Sequence, residues 1–453
     1  MPNEKLKSIF LNKNIILLIL FWSSVLFSPL LNIGAYLRVD HIVFLLLAFL
    51  LLIKKRFKLK VPHTALVFIL FAVSLAFFAI ISANVGLLSK GSANFYFALN
   101  WPLKIIWNVI IGLCIYNIIT IKYKQHEIIN KTCHILLICI FFYGVLAILQ
   151  VAEFHGYIPT IGINSFLSKF YPYRGNLPPE YLVITKGYLL KMGGMGRATI
   201  TEGQPILAGN ILAFLLIMLL PLLDRTSRVF IYMVGLLGLI LTLTRGAIIA
   251  WICGIVIFLL FLFYDAIKRH KMYWIKRYLV IWIIIGMCCL IFINITPFGE
   301  VLHHRLDTSF STMKGSGVIE PRFERVWPEA LDAVNSADIV GWLFGVPGGY
   351  KGATDSQYLW LLVNVGLTGL ILFIILHCYI AWVGWSFYVS MLKVNRSYAF
   401  FGLGLTSAIC TLLVAYIVNP ALQSDRLLTI LVVSSIIIDN SKRKSVNNKV
   451  NVK

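Results

Sequence analysis

Four short stretches gather the residue types that could do chemistry. In the first, Arg197 follows Gly193-Gly194-Met195-Gly196 and leads into Ala198-Thr199-Ile200-Thr201-Glu202-Gly203-Gln204-Pro205. Glycines let backbone approach a ligand closely, so Arg197 and Glu202 are candidate ligand contacts. A flexible re-entry turn carrying an interfacial arginine fits this stretch equally well. The second is Leu243-Thr244-Arg245-Gly246-Ala247, which joins two apolar runs with almost no loop. A cation there is costly and usually has a partner or a ligand. Snorkelling to lipid phosphate is the plainer account, but so tight a turn aims the side chain at the bundle mouth.

The third stretch runs from Glu320 to Val334. Phe323, Val326, Trp327, Ala330, Leu331 and Val334 fall at helical spacing, with Pro321 suited to a first turn and Pro328 able to kink or break the helix. Arg322, Arg325, Glu329 and Asp332 then share the other face, either as ligand contacts or as an ordinary polar face with an Arg325–Glu329 pair. The fourth is the glycine-rich Gly341-Trp342-Leu343-Phe344-Gly345-Val346-Pro347-Gly348-Gly349-Tyr350-Lys351-Gly352, which delivers Asp355, Ser356, Gln357 and Tyr358 to the head of an apolar run. Asp355 there reads as a helix N-cap, as a general base beside a hydroxyl, or as both.

Other chemistries lack their residues. The chain has no Asp-x-Asp pair, no Gly-x-Ser-x-Gly, no P-loop and no His-Glu-x-x-His. His303 and His304 with Glu300 and Asp307 read as solvated loop residues, so no metal site and no cofactor is expected. The eight cysteines all fall in apolar runs and read as small core residues. His377 also reads as core.

The elements that must position these residues are membrane spans. The chain has 453 residues, 59% hydrophobic and 13% charged, with a mean hydropathy of +0.87. That marks a membrane protein and excludes a secreted enzyme, a disordered chain and a lipid-anchored soluble domain. Twelve apolar runs, at about 15–33, 39–53, 61–82, 99–119, 132–152, 206–223, 229–244, 246–264, 279–295, 357–385, 398–418 and 427–438, predict an all-α polytopic bundle. The first run has no cleavage site after it and reads as an uncleaved span.

Charge sets the orientation. With the N-terminus inside, the cytoplasmic pieces hold 25 of the 40 Lys and Arg and five of the 18 acids, which leaves a net +20 inside and +2 outside. The positive-inside rule therefore predicts both termini in the cytoplasm. The net charge of +22 is mostly topology and contact with anionic lipid, so no nucleic-acid partner is needed. The organisation expected is one membrane domain over 1–453. Five spans occupy 1–152, an external loop 153–205, four spans 206–296, a large external loop 297–355, three spans 356–438 and a basic cytoplasmic tail 439–453. External loops of that length are uncommon unless functional.

In this order and topology, Arg197, then Thr244-Arg245-Gly246-Ala247, then Trp327 with Ala330-Leu331, then Asp355-Ser356-Gln357-Tyr358-Leu359 with Gly366 and Gly369, resemble the O-antigen ligase and Wzy-type polysaccharide polymerase superfamily. The resemblance covers about residues 190–370. Arg325 and Arg322 both compete for the place of the family's loop arginine. The resemblance implies a bundle like that of C-type glycosyltransferases and an undecaprenyl-diphosphate-linked glycan as donor on the periplasmic face of the bacterial inner membrane. It also implies inverting transfer without a metal, with membrane lipids and a chain-length regulator as candidate partners. Under it Arg197 and Arg245 stabilise the leaving diphosphate and Asp355 orients and deprotonates the attacking hydroxyl. Arg325, Arg322, Glu202, Tyr358, Ser356 and Trp327 contact substrate. Family ligases carry histidine where this chain has Asp355, which favours the polymerase branch, with a lipid-linked repeat unit as acceptor. Ligation to a lipid A core or to a protein is the alternative. A flippase or exporter, the reading from another class, would show internal repeats and polar residues midway along spans.

Overall fold

A computed structural model describes residues 18–27, 29–32, 36–38, 42–44, 46, 53, 60–90, 95–119, 125–170, 191–192, 195–202, 204–223, 226–269, 286–287, 326–346, 350, 356–392, 395–418 and 424–450. The chain is a helical membrane protein. Among the described residues, six helices are long and apolar enough to cross a bilayer: His63–Asn84, Ile128–Phe154, Pro205–Leu222, Arg245–Ile267, Gln357–Met391 and Tyr398–Ile417. In order the helices are α1 (Leu18–Phe27), α2 (His63–Lys90), α3 (Phe95–Ile119), α4 (Gln125–Phe154), α5 (Ile163–Phe170), α6 (Pro205–Leu219), α7 (Thr226–Leu241), α8 (Arg245–Arg269), α9 (Trp327–Asn335), α10 (Ile339–Phe344), α11 (Gln357–Met391), α12 (Arg396–Val418) and α13 (Asp425–Val450). Ten of the twelve apolar runs thus carry a described helix, and the runs at 39–53 and 279–295 fall largely outside the described residues.

Helix formation follows from the solvent: in lipid every backbone group must be paired within its segment. α6 is the axis, with 89% of its most apolar window buried against 33% for α8. On α8 the exposed residues Ile249, Ile252, Val256, Leu260 and Phe263 form one apolar stripe, as a lipid-facing surface requires. Close approach to α6 needs glycine on its neighbours. A Cβ on Gly404 of α12 would lie 2.1 Å from the Met218 carbonyl oxygen, and one on Gly254 of α8 would lie 2.8 Å from Ile217.

Several expectations are corrected. Two short antiparallel ribbons, Leu30–Asn32 with Tyr36–Arg38 and Lys191–Met192 with Met195–Gly196, sit in the otherwise helical chain, and the first begins inside the apolar run at 15–33. The tail beyond Asp439 is helical to Val450, continuing α13. Cys114, Cys133 and Cys139 are buried, whereas Cys378 is exposed on α11 and is no core residue. His377 is fully buried, with Nδ1 2.9 Å from the Phe373 carbonyl oxygen and Nε2 3.1 Å from the Tyr416 hydroxyl, so both ring nitrogens have partners and the core reading holds.

α11 is broken at Gly366 (φ 75°, ψ −173°). The loop before α11 fills the break. The Val346 amide donates to the Val363 carbonyl (2.7 Å) and Thr368 Oγ1 to the Leu343 carbonyl (2.7 Å). The Tyr350 amide donates to Asn364 Oδ1 (3.1 Å). A helix break at membrane depth persists where neighbours take up the freed groups in this way. Above it, Ala330 and Val334 of α9 bury against Val346 and Val363 in a small second core. Leu331, expected on that apolar face, is 40% exposed. Pro328 is the second residue of α9 as described, a position where no intrahelical donor is needed; residues 321–325, where the expected helix begins, lie outside the described residues.

Candidate functional site

The ends of α1, α4, α7 and α12 and the starts of α6, α8, α11 and α13 meet at one end of the bundle, here called the rim. Residues 197–202 cross it as non-helical backbone, all but buried: Ala198 and Ile200 are fully enclosed, and Arg197 and Glu202 are each 8% exposed. This corrects the flexible re-entry turn. Buried irregular backbone must have its polar groups paired, and α1, α4, α7 and α13 all supply partners here. The Ala198 amide donates to the Leu241 carbonyl (2.9 Å). Gln150 Oε1 accepts from the amides of Thr199 (3.0 Å) and Ile200 (3.1 Å), while its Nε2 donates to Thr199 Oγ1 (2.9 Å). Thr201 Oγ1 donates to the Leu26 carbonyl (2.8 Å) and meets the Tyr143 hydroxyl at 2.5 Å.

Arg197 lies along the α7–α8 turn. Its Nε donates to the Thr242 carbonyl (3.0 Å) and an Nη to Thr244 Oγ1 (3.2 Å), while Thr244 Oγ1 donates to the Pro205 carbonyl (3.0 Å). These two contacts hold the guanidinium along the turn. Arg245, half-buried, is the next residue and the first of α8. The structure therefore brings Arg197 and Arg245 to one turn. Ile200 (φ 50°) and Leu243 (φ 49°) are the non-glycine residues at positive φ among those described, one in each segment carrying an arginine. A branched side chain resists that region, and such strain persists where surroundings over-determine it, often at functional sites. Gly209 on α6 sits under the turn; a Cβ there would come within 3.0 Å of Thr242 and Thr244.

Glu202 has a partner that the sequence reading missed. Arg426 Nη1 contacts Glu202 Oε1 at 2.5 Å, with the two side chains 4% and 6% exposed. Arg426 also donates to the carbonyls of Val25 (3.1 Å) and Thr201, and Ser424 Oγ donates to Glu202 Oε2 (3.1 Å). The signal available was a charged pair, Asp425-Arg426, at the head of the last apolar run. Beside it, Lys104 Nζ of α3 lies 3.1 Å from Asp425 Oδ1.

Ser356 and Tyr358 lie across α12, which packs on both α8 and α11. Ser356 Oγ donates to the Tyr416 carbonyl (3.1 Å) and the Tyr358 hydroxyl to the Leu413 carbonyl (2.7 Å). The N-cap of α11 is Ser356, whose side chain accepts from the Leu359 amide (3.5 Å), and not Asp355 as the plainer expectation had it. Trp327 is half-buried at the start of α9, on the loop side of the rim. Tyr350 stands nearby, its phenol pushed up from the usual range by burial and then by the Glu329 carboxylate, so it stays neutral. Asp355, Arg322, Arg325 and the His303–His304 cluster lie outside the described residues. Among those described, no group of three or more His, Cys, Asp or Glu could hold a metal. No protein-family model matches the chain, and no curated protein matches it.

Proposed function

We propose that the chain is a glycosyltransferase of the bacterial inner membrane that polymerises undecaprenyl-diphosphate-linked repeat units into O-antigen or capsular or exopolysaccharide. In this reading twelve spans place both termini in the cytoplasm and the rim on the periplasmic face. One observation supports it: buried Arg197 is hydrogen-bonded to Thr244, the residue before Arg245, where two segments with strained backbone meet at the end of the bundle. Two guanidinium groups fixed at a membrane rim suit a diphosphate that must gain charge as it leaves. The acceptor hydroxyl attacks the anomeric carbon, the carbon–oxygen bond to the diphosphate breaks, and Asp355 takes the hydroxyl proton, inverting the centre.

The test is a glycan gel on a deletion strain carrying Arg197→Ala or Arg245→Ala. We expect expressed protein and no long chains; near-normal chain length in both variants removes the diphosphate clamp. In the deletion strain, single-repeat products on the final acceptor support polymerisation. Lipid-linked polymer that never reaches its acceptor means ligation instead, and neither change means that the protein does not transfer glycan.

A further inference from the structure

Gln357, the first residue of α11, is fully buried, and neither its Nε2 nor its Oε1 has a hydrogen-bond partner among the described residues. Buried side-chain amides are nearly always paired, because leaving both atoms unpaired forfeits their hydration with nothing in return. The neighbours are already committed: Ser356 to Tyr416, Tyr358 to Leu413, and Asn364 to Trp360 and Tyr350. Gln357 is thus the amide in this cluster held in reserve. One turn along the same face is half-buried Trp360, whose ring lies 5.3 Å from that of Trp101 on α3 at an interplanar angle of 35°. One turn further along α3, Lys104 meets Asp425, next to the Arg426–Glu202 pair.

An amide that can donate and accept at once, beside paired indoles, is the combination a pyranose ring needs: vicinal hydroxyls to the amide, the C–H face to an aromatic ring. We infer that Gln357 with Trp101 and Trp360 forms a sugar subsite that binds the acceptor glycan next to the reacting centre. The assignment rests on the glycosyl-transfer reading above. Binding relieves the unpaired amide, so this residue trades stability of the empty protein for affinity.

Gln357→Met keeps the volume and removes both polar atoms. We expect unchanged or higher thermal stability in detergent, at least a tenfold loss of long glycan chains in the complemented deletion strain, and a similar loss of binding to a bacterial glycan array. A melting temperature lowered by several degrees shows that the amide was satisfied and overturns the proposal. So do unchanged chains, with Arg197 and Arg245 variants still defective, which leaves the enzyme reading standing. Should deletion of the wild-type protein alter no glycan, the array decides. Wild-type binding lost in Gln357→Met sustains the subsite, and absence of wild-type binding removes it.

Discussion

The Arg426–Glu202 pair fixes a number that can be measured. Both side chains are almost fully enclosed, and the guanidinium serves three acceptors: Glu202, the Val25 carbonyl and the Thr201 carbonyl. Arg426→Met strands two carbonyls and leaves the carboxylate with Ser424. Each stranded group costs about 1–3 kcal/mol, and breaking one side of a buried ion pair costs about 3–5 kcal/mol in total, since these penalties overlap. Glu202→Gln keeps acceptor geometry and loses charge assistance, for about 1–2 kcal/mol. Replacing both, Arg426→Met with Glu202→Leu, removes the uncompensated charge but leaves the two carbonyls stranded, so it should be more stable than Arg426→Met alone and still lie about 2 kcal/mol or more below the parent. The assay is unfolding by dodecyl sulfate in mixed micelles, read by tryptophan fluorescence and analysed as a double-mutant cycle. A cost below about 1 kcal/mol for Arg426→Met refutes the energetic account. The same strains separate two roles of Glu202. If the pair is only a clasp for residues 197–202, Glu202→Gln, which keeps the contact to Arg426, still makes long glycan chains; stable protein without chains means that Glu202 meets substrate.

Two further outcomes follow from α11. Gly366→Ala would put a Cβ 2.3 Å from the Leu343 carbonyl oxygen at φ 75°, so we expect a loss of more than about 3 kcal/mol, seen as aggregation in fluorescence-detected size exclusion; a monodisperse peak at parental yield counts against the fitted break. Ser356→Ala should cost about 1 kcal/mol through the lost cap, whereas Asp355→Asn should leave unfolding unchanged and abolish long chains, and chains made by Asp355→Asn would remove the general base.

What the sequence exposes depends on how local the physics is. Spans are legible because twenty apolar residues in lipid have few other conformations, and the Thr244-Arg245 turn because two apolar runs meet there without a loop. Residues 197–202 are not legible as a buried segment. Their glycine-led, polar text looks like a turn, and what buries them comes from Leu26, Gln150, Leu241 and Arg426. Glu202 could be read as a candidate but not as paired, with its partner 224 residues away. Gly366 looks like one more small residue in an apolar run; only the loop packed at Leu343–Val346 gives the break its reason. Leu331 fits the helical period yet faces outward, since α9 packs through Ala330 and Val334, with Ala333 beside them.

The clasp also sets an order of assembly. Arg426 reaches a carbonyl of the first described helix across 401 residues of chain, and it also closes on the segment that carries Arg197. Until the ribosome has delivered α13, that segment has no cation to draw its Thr201 carbonyl and Glu202 inward. The arginine pair is thus set only at a late stage of synthesis. Under the glycosyl transfer proposed above, a half-inserted chain therefore lacks the assembled rim that would grip a lipid diphosphate, and unfinished protein captures none.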